Sequence, residues 1–251
     1  MKSLLFIILF IAAISSIAQD TTKATKHIFK KNNLFDLGVS IGDKQVVGSL
    51  DWNHFHGVGK KQNLKLGYGI RYSGFHGIES KIYTTAPAKL TSGQEGPQVL
   101  FVDNVAKNID TVNVARNPYV GMANIFLSAQ YTFFKKLDLG FNIDLVGFSF
   151  GGKTTGAFTV HSSAQPNVND GSTQNLTPTA FNLLLVSDND LGSLNSEFFL
   201  RYWINDKWAI KGVFTFIFTE YTTGSKLRFE NDRFRNKGIL FGLGVTYRPW
   251  K

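Results

Sequence analysis

Few residues of this chain have the types and spacing that catalysis requires. Ser73, His76 and Glu79 are the best candidates for a nucleophile, a base and an acid, the groups that acyl transfer uses. Strand side chains alternate with a period of two, so this spacing does not place the three on one strand face. Ordinary polar residues at a strand end explain them better. We therefore predict no catalytic site and no enzyme activity.

Two other patterns could indicate metal binding. His54 and His56 share a strand face and could ligate a metal ion, but no third ligand accompanies them and Trp52 beside them favours an aromatic girdle. Residues 167–171 and 188–190 are rich in Asp and Asn, yet they lack the ligand spacing of a calcium loop, so we interpret them as turns. We predict no metal and no cofactor.

A larger set of charged residues recurs at alternate positions of the predicted strands. They lie on the strand face opposite the one that carries large apolar side chains. Its members are Asp36, Asp51, Lys65, Arg71, Asp138, Asp144, Glu197, Arg201, Lys211 and Arg248. Five are acidic and five basic, so they can pair with one another in a confined interior, where an unpaired charge is costly. We predict a filled, salt-bridged lumen; the alternative is that these charges line a narrow path for ions or small solutes.

The start of the chain has the features of an export signal. Lys2 is followed by an apolar run of about ten residues, too short to span a bilayer as a retained helix. The small residues Ser16 and Ala18 occupy the −3 and −1 positions of a cleavage site. The chain contains no cysteine, so disulfides cannot stabilise the exported protein. We predict a cleaved signal peptide over 1–19, a flexible periplasmic leader over 20–32 and an outer-membrane barrel domain over 33–251.

Eight segments alternate between large apolar and small or polar residues, as transmembrane β-strands do. They are Leu34–Gly42, Gln45–His56, Asn63–Gly74, Met122–Phe134, Leu137–Phe150, Leu194–Ile204, Lys207–Tyr221 and Gly238–Trp250. The pattern predicts an all-β fold, a single antiparallel up-and-down transmembrane β-barrel, with a possible bulge at Val146. Ten strands would result if Gln98–Asn104 and Thr111–Arg116 formed a membrane hairpin, and a soluble periplasmic β-sandwich is the rival fold.

The connections alternate between short and long, as expected for short periplasmic turns and long outer loops. We predict two long extracellular loops, 75–119 and 151–192, and a basic loop from Thr222 to Lys237. Seven aromatic residues fall at the periplasmic ends of the outward faces and indicate an interfacial girdle. These interface aromatics are Phe35, Trp52, Tyr131, Phe133, Tyr202, Trp208 and Tyr247.

The last strand carries the most specific pattern. Its outward residues are Ile239, Phe241, Leu243, Val245 and Tyr247, followed by Trp250. This alternation resembles the small outer-membrane β-barrels of the OmpA, OmpX and OmpW type, although the chain ends in a lysine rather than an aromatic residue. The resemblance implies the outer membrane of a Gram-negative bacterium, both termini in the periplasm, and recognition of this strand by the barrel-assembly machinery.

The function predicted from these patterns is non-enzymatic: structural support, or binding of a partner or surface through the two long loops. A narrow channel and a lipid-modifying enzyme at the barrel rim are the alternatives. Expected partners are outer-membrane lipid and lipopolysaccharide, an envelope protein, and the assembly machinery. Arg228, Arg233, Arg235 and Lys237 are candidates for contacting lipopolysaccharide phosphates. The formal net charge of +9 is spread along the chain, so we predict no nucleic-acid binding.

Overall fold

The structure, a computed structural model, describes residues 31–94, 98, 101–114, 117–161, 169–185 and 187–249; the predicted signal peptide and most of the leader lie outside them. The strands are β1 (Lys31–Gly42), β2 (Gln45–Val58), β3 (Leu64–Gly77), β4 (Lys81–Thr85), β5 (Thr111–Val114), β6 (Tyr119–Phe133), β7 (Leu137–Phe150), β8 (Thr154–Thr159), β9 (Thr173–Pro178), β10 (Phe181–Leu183), β11 (Leu194–Trp203), β12 (Trp208–Thr223) and β13 (Arg233–Tyr247). One short helix, α1, spans Ala88–Thr91, and 3-10 turns occur at Ala106–Asn108, Ser187–Asn189 and Arg228–Glu230.

Eight of these strands close a ring by antiparallel pairing, and we call this the ring. The order is β1, β2, β3, β6, β7, β11, β12, β13 and back to β1, where Phe35 pairs with Tyr247 and Gly42 with Leu240. The predicted all-β antiparallel barrel is confirmed by this pairing. The predicted count of eight strands describes this ring but not the whole of the described chain, which has thirteen strands. The alternative ten-strand ring is wrong, because β5 pairs with β4 and β8.

A second, smaller ring stands on one end of the first. Strands β12 and β13 continue beyond their neighbours, and β9, β8, β5 and β4 complete a closed circuit between them. We call these strands, with the helix and connections between them, the cap. The two predicted long loops are therefore largely folded: 75–119 contains β4 and β5, and 151–192 contains β8, β9 and β10.

The predicted basic loop is partly strand, because β12 runs to Thr223 and β13 begins at Arg233. The opposite end of the ring carries short turns at 59–63, 134–136 and 204–207, together with Arg248. We call it the turn end, and the other the cap end. Among the described residues, no helix is long and apolar enough to cross a membrane.

The outer face of the ring is apolar and exposed, whereas its inner face is polar and buried. Leu243 is 70 % exposed and Phe241 is 67 % exposed, and similar side chains surround the ring. Asp51 and Arg71, on the inner face, are almost fully buried. A soluble β-sandwich buries its apolar faces instead, so this rival fold is excluded.

A β-bulge lies in β7, one residue before the predicted position. Ile125 pairs with Val146 but Phe126 pairs with Asp144, which leaves Leu145 without a partner residue on β6. The extra residue moves the inward positions of β7 from even numbers, such as Asp144, to odd numbers, such as Ser149. The bulge thereby keeps the inner face of β7 polar on both sides of the irregularity.

Candidate functional site

The candidate site is the lumen of the ring, where the strand alternation directs charged side chains to the same space. Strand pairing sets Asp51 opposite Arg71, and Arg201 opposite both Asp138 and Lys211. Because strand side chains alternate with a period of two, the apolar outer face forces these residues inward. Eight of the ten predicted lumen charges form one buried network: Asp36, Asp51, Arg71, Asp138, Asp144, Glu197, Arg201 and Lys211.

Arg71 organises the part of this network nearer the cap. Its guanidinium donates to both carboxylate oxygens of Asp51, at 3.0 and 3.3 Å. It also lies 3.2 Å from a carboxylate oxygen of Asp144 and 3.1 Å from one of Glu197. All four side chains are at most 4 % exposed. Arg71 thus neutralises three carboxylates that have almost no contact with solvent.

Lys211 and Arg201 form the ion pairs in the part of the network nearer the turn end. The Lys211 ammonium lies 2.6 Å from Glu197 and 3.1 Å from Asp36. Arg201 binds Asp36 through Nη2, at 2.9 and 3.2 Å from the two carboxylate oxygens, and donates from Nε to Thr246 at 2.8 Å. Glu197 therefore links Arg71 to Lys211, while Asp36 links Lys211 to Arg201.

The network contains five carboxylates but only three cations, and neutral donors compensate for the difference. Asn124 donates to Asp144 at 2.8 Å and Asn142 to Glu197 at 2.7 Å. Two further carboxylates also accept hydrogen bonds from neutral donors. Thr246 donates to Asp36 at 2.6 Å, and Asp138 accepts from Thr132 at 2.6 Å and from Trp203 at 2.7 Å. A buried carboxylate needs hydrogen bonds on its oxygens as well as a counter-charge, and these donors supply them.

Two aromatic rings fill the space between the charges, and two glycines make room for them. The Arg71 guanidinium lies 4.9 Å from the centre of the Phe126 ring, and Arg201 lies 4.7 Å from that of Phe199. A Cβ at Gly69 would stand 2.4 Å from Phe126, and a Cβ at Gly140 would stand 2.3 Å from Phe199. These glycines permit the close approach that packs a cation onto each ring.

Apolar side chains close the lumen on both sides of the network. Toward the cap, a buried cluster joins the inner face of the ring to the inside of the cap: Val47, Phe75, Tyr83, Val112, Val114, Val120, Met122, Phe158, Leu176, Ile217, Tyr221, Leu227, Phe234 and Leu240. Toward the turn end, a smaller cluster consists of Leu34, Phe55, Trp203 and Ala209. The charges therefore occupy the middle of three layers.

Two predicted lumen charges lie apart from this network. Lys65 and Arg248 line a cavity of about 960 Å³ at the turn end. The Arg248 guanidinium lies 3.8 Å from the centre of the Trp203 ring, which separates it from the middle layer. The predicted balance of five acids against five bases thus does not describe the paired network itself.

At the cap end, a second charged cluster uses the predicted lipopolysaccharide-binding residues within the protein. Glu220 is fully buried and binds Arg233 at 2.7 Å and Arg235 at 2.8 Å. Arg228 pairs with Asp110 at 3.1 Å, and Lys237 pairs with Asp188 at 2.5 Å. All four basic residues have acidic partners within the protein, and their role in binding phosphates stays a prediction.

Two carboxyls of this end have raised pKa values. Burial raises the pKa of Asp190 to about 6, against opposing effects of a hydrogen bond from the Leu185 backbone and the charge of Arg235. Burial also raises the pKa of Asp110, although Arg228 opposes the shift. Asp190 therefore holds its proton to a higher pH than an ordinary carboxyl.

The residues considered for catalysis are not brought together. Ser73 points into the lumen and is buried, whereas His76 lies on the outward face of the same strand and is exposed. Glu79 forms an exposed ion pair with Lys44 at 2.7 Å. His54 and His56 lie on the outer face with ring centres 4.9 Å apart, and the described residues contain no group of three potential ligands around them.

The predicted interface aromatics all lie on the outer face near the turn end. Trp208 and Tyr247 have ring centres 4.6 Å apart, as do Tyr131 and Phe133. Phe35 lies between Trp52 and Tyr247 in the strand register, and Tyr202 is exposed. Ile239, Phe241, Leu243 and Val245 of the predicted assembly strand are exposed on the same face, while Trp250 lies outside the described residues.

No protein-family model and no curated protein sequence matches this chain. Its structure is similar to Neisserial surface protein A, at 7 % identity over 88 % of this chain and 96 % of that one, with a TM-score of 0.33. A major outer membrane protein from Thermus thermophilus matches at 10 % identity over 87 % and 98 %, with a TM-score of 0.36. Ail, the attachment invasion locus protein of Yersinia pestis, matches at 9 % identity over 86 % and 98 %, with a TM-score of 0.28. These TM-scores are below 0.5, so the barrel architecture rests on the strand pairing of this chain.

Several site residues were missed by sequence reasoning, although their positions carry a signal. Asn124, Asn142 and Thr246 share the inward face with the charged residues, and that alternation could have identified them as carboxylate partners. Glu220 follows Phe214, Phe216 and Phe218 at the same alternate positions. An acid that ends a run of outward aromatics could have been recognised as the point where the apolar outer face ends.

Proposed function

We propose that this chain is an integral outer-membrane barrel with a sealed lumen, which holds a folded cap at the cell surface for binding and has no enzymatic activity. The observation that supports it best is the three-layer filling of the ring. A solute passing through would have to cross an apolar layer, displace ion pairs made by Arg71, Lys211 and Arg201, and cross a second apolar layer. An eight-stranded ring is only wide enough for its own side chains.

We assign the membrane-spanning part to the eight strands of the ring. Their outer face is apolar from the interface aromatics at the turn end up to Phe218 and Ile239, and contacts lipid. Short turns characterise the periplasmic side of such barrels, so the turn end faces the periplasm and the cap lies outside a Gram-negative cell. The outward residues of β13 are the surface offered to the barrel-assembly machinery.

The cap is the binding element in this proposal, because most of the strands and turns that lie outside the ring belong to it in the part of the chain that the structure describes. It exposes apolar side chains that do not pack inside it, among them Ile82 (59 % exposed) and Phe101 (69 % exposed). Phe229 is held with a left-handed backbone, φ 58°, while Arg228 packs 4.4 Å from its ring centre. Apolar side chains on a rigid scaffold suit recognition of an envelope protein or another surface component.

Conductance across planar lipid bilayers tests the sealed lumen. The refolded protein should give no discrete current steps, whereas an open porin inserted by the same procedure should give them. Insertion must be shown separately, and the tryptophans provide the means: brominated lipid should quench a variant that retains only Trp208, which lies on the outer face, more than one that retains only buried Trp203. Reproducible current steps from inserted wild-type protein would contradict the proposal and favour the narrow channel.

A further inference from the structure

The cavity at the turn end has no role in the sealed lumen, and its lining is strongly basic. Its volume is about 960 Å³, within the range of pockets that hold small molecules. The turns between ring strands and the residue after β13 contribute to it. The cationic residues of its lining are Lys65, Lys135, Lys136, Lys207 and Arg248, and the acidic ones are Asp138 and Asp206.

The positive charge of this lining exceeds its negative charge. The lining contains five cationic side chains and two carboxylates, and one of these carboxylates, Asp138, already has partners within the protein. Its oxygens accept hydrogen bonds from Thr132 and Trp203, and Arg201 lies 3.7 Å away. A concave surface with an excess of one charge concentrates ligands of the opposite charge. The cavity is therefore suited to an anion.

Arg248 gives the cavity an oriented hydrogen-bond donor. Its guanidinium packs 3.8 Å from the centre of the Trp203 ring, and the Trp203 indole N–H is itself fixed by its 2.7 Å hydrogen bond to Asp138. Nη1 donates to the backbone oxygen of Asp206 at 3.4 Å. Nε is buried and has no hydrogen-bond partner among the described residues. A buried N–H without an acceptor is costly, so an acceptor from a ligand would relieve that cost.

We propose that this cavity binds the phosphate group of a small molecule or of a lipid headgroup, with Arg248 as the anchoring donor. The guanidinium is planar and presents donors that match the spacing of phosphate oxygens, and its position on Trp203 fixes it in advance. Lys65, Lys135, Lys136 and Lys207 surround the bound phosphate with positive charge. The cavity lies at the turn end, and the filled lumen separates it from the cap. In the orientation proposed above, it would bind ligands from the periplasm rather than from outside the cell. This inference does not depend on the lumen being sealed.

Calorimetric titration of the full-length protein, refolded in a phosphate-free maltoside detergent, tests the proposal. The two probes are glycerol 3-phosphate and short-chain phosphatidylglycerol, which share the phosphate and differ in the acyl chains. Binding of both with similar affinity would identify a soluble phosphorylated ligand, and binding that requires acyl chains would identify a lipid headgroup. If neither probe binds, the proposal is wrong.

Three variants show whether the binding has the proposed geometry. R248Q should weaken it by at least about tenfold, the effect of losing one charge-assisted hydrogen bond. R248K retains the charge but lacks Nε and should also weaken it. K153Q removes an equal charge from the exposed surface beyond β7 and should leave it unchanged. Full affinity in R248K, or equal weakening in K153Q, would overturn the proposal; a retained mobility shift on boiling in detergent would establish that each variant is folded.

Discussion

The ring and the cap share strands β12 and β13, yet their interiors are opposite in chemistry. The inside of the ring holds ion pairs such as Arg71 with Asp51, whereas the inside of the cap holds Tyr83, Val112 and Phe158. A side chain buried in the ring would be a surface residue in an ordinary soluble protein, and the cap follows the ordinary rule.

The reversal occurs within single strands. On β12, Phe214 and Phe216 lie on the outer face, whereas Glu220 at the same alternate positions is buried against Arg233 and Arg235. On the inner face, Lys211 gives way to Tyr221. The strand alternates throughout, so only the chemistry of its two faces changes. This teaches that the surroundings of a face, lipid along the ring and packed protein at the cap end, determine which chemistry it carries.

The largest effect is expected from breaking the ring interior. R71M leaves Asp51, Asp144 and Glu197 without their shared cation, and removal of one partner from a buried ion pair costs about 3–5 kcal/mol. Urea unfolding of the refolded protein in detergent micelles, followed by tryptophan fluorescence, measures the loss. K44M is the matched control: it breaks an exposed pair with Glu79 and should leave the unfolding midpoint unchanged. Equal stability of R71M and wild type would show that the network does not support the ring.

The next largest effect is expected from a substitution that disrupts the interior of the cap and leaves the ring intact. Phe158 is fully buried in the apolar cluster, and F158A should cost the cap about 3–5 kcal/mol through lost burial and the cavity left behind. Limited proteolysis should then cut the cap segments sooner, while the mobility shift on boiling persists. F101A, at an exposed position of the cap connections, serves as the control and should change neither measurement. Simultaneous loss of the shift would mean that the two interiors are one cooperative unit.

A smaller effect is expected when a charge is placed on the outer face, and its size should differ between the lipid-facing ring and the water-facing cap. Leu243 faces outward from the ring, and L243R should destabilise the protein in lipid by about 2–4 kcal/mol, the cost of a charge near the bilayer centre. Ile82 is similarly exposed on the outside of the cap, and I82R should change stability by less than about 0.5 kcal/mol because it remains in water. Unfolding in lipid vesicles compares the pair. Similar costs would argue against the lipid-facing assignment of the ring.

The smallest effect concerns the pH dependence of the cap. The pKa of Asp190 is about 6 in the folded protein, above its ordinary value of 3.8, so the folded state binds this proton more tightly than the unfolded chain. The free energy of unfolding of the cap should therefore fall as pH rises from about 4 to about 6 and change little above that range. Protease resistance of the cap should be higher at pH 5 than at pH 7. D190N should reduce this difference, and an undiminished difference would assign it to another group.

The ring could be predicted from the sequence because its alternation is long and its outward residues are large. Segments such as Leu137–Phe150 carry both signals, and the inward charges follow from them. The partners within the lumen could not be predicted, because they depend on which strands face each other across the ring. Arg201 and Asp36, for example, are 165 residues apart and meet at 2.9 Å.

The cap was missed because its strands are short and follow the pattern of soluble proteins. Strand β5 has only four residues, Thr111–Val114, and its apolar positions face inward. The outward charges of Arg233 and Arg235 were interpreted as part of a loop, since an apolar outer face was expected of every strand. The cavity at the turn end was missed for a different reason: Arg248 was counted with the lumen charges, while its contact with Trp203 appears only in three dimensions.

The shared strands also determine the order in which this protein can reach its final structure. Strand β13 completes the ring against β1, and the same strand completes the cap against β4. Both closures join residues far apart in sequence, which makes them slow steps of folding. The four intervening strands of the cap cannot be closed into a circuit until the final strand has docked. A protease-resistant cap would therefore be a marker of completed barrel folding, and in the proposed orientation it could be read on intact cells without extracting the protein.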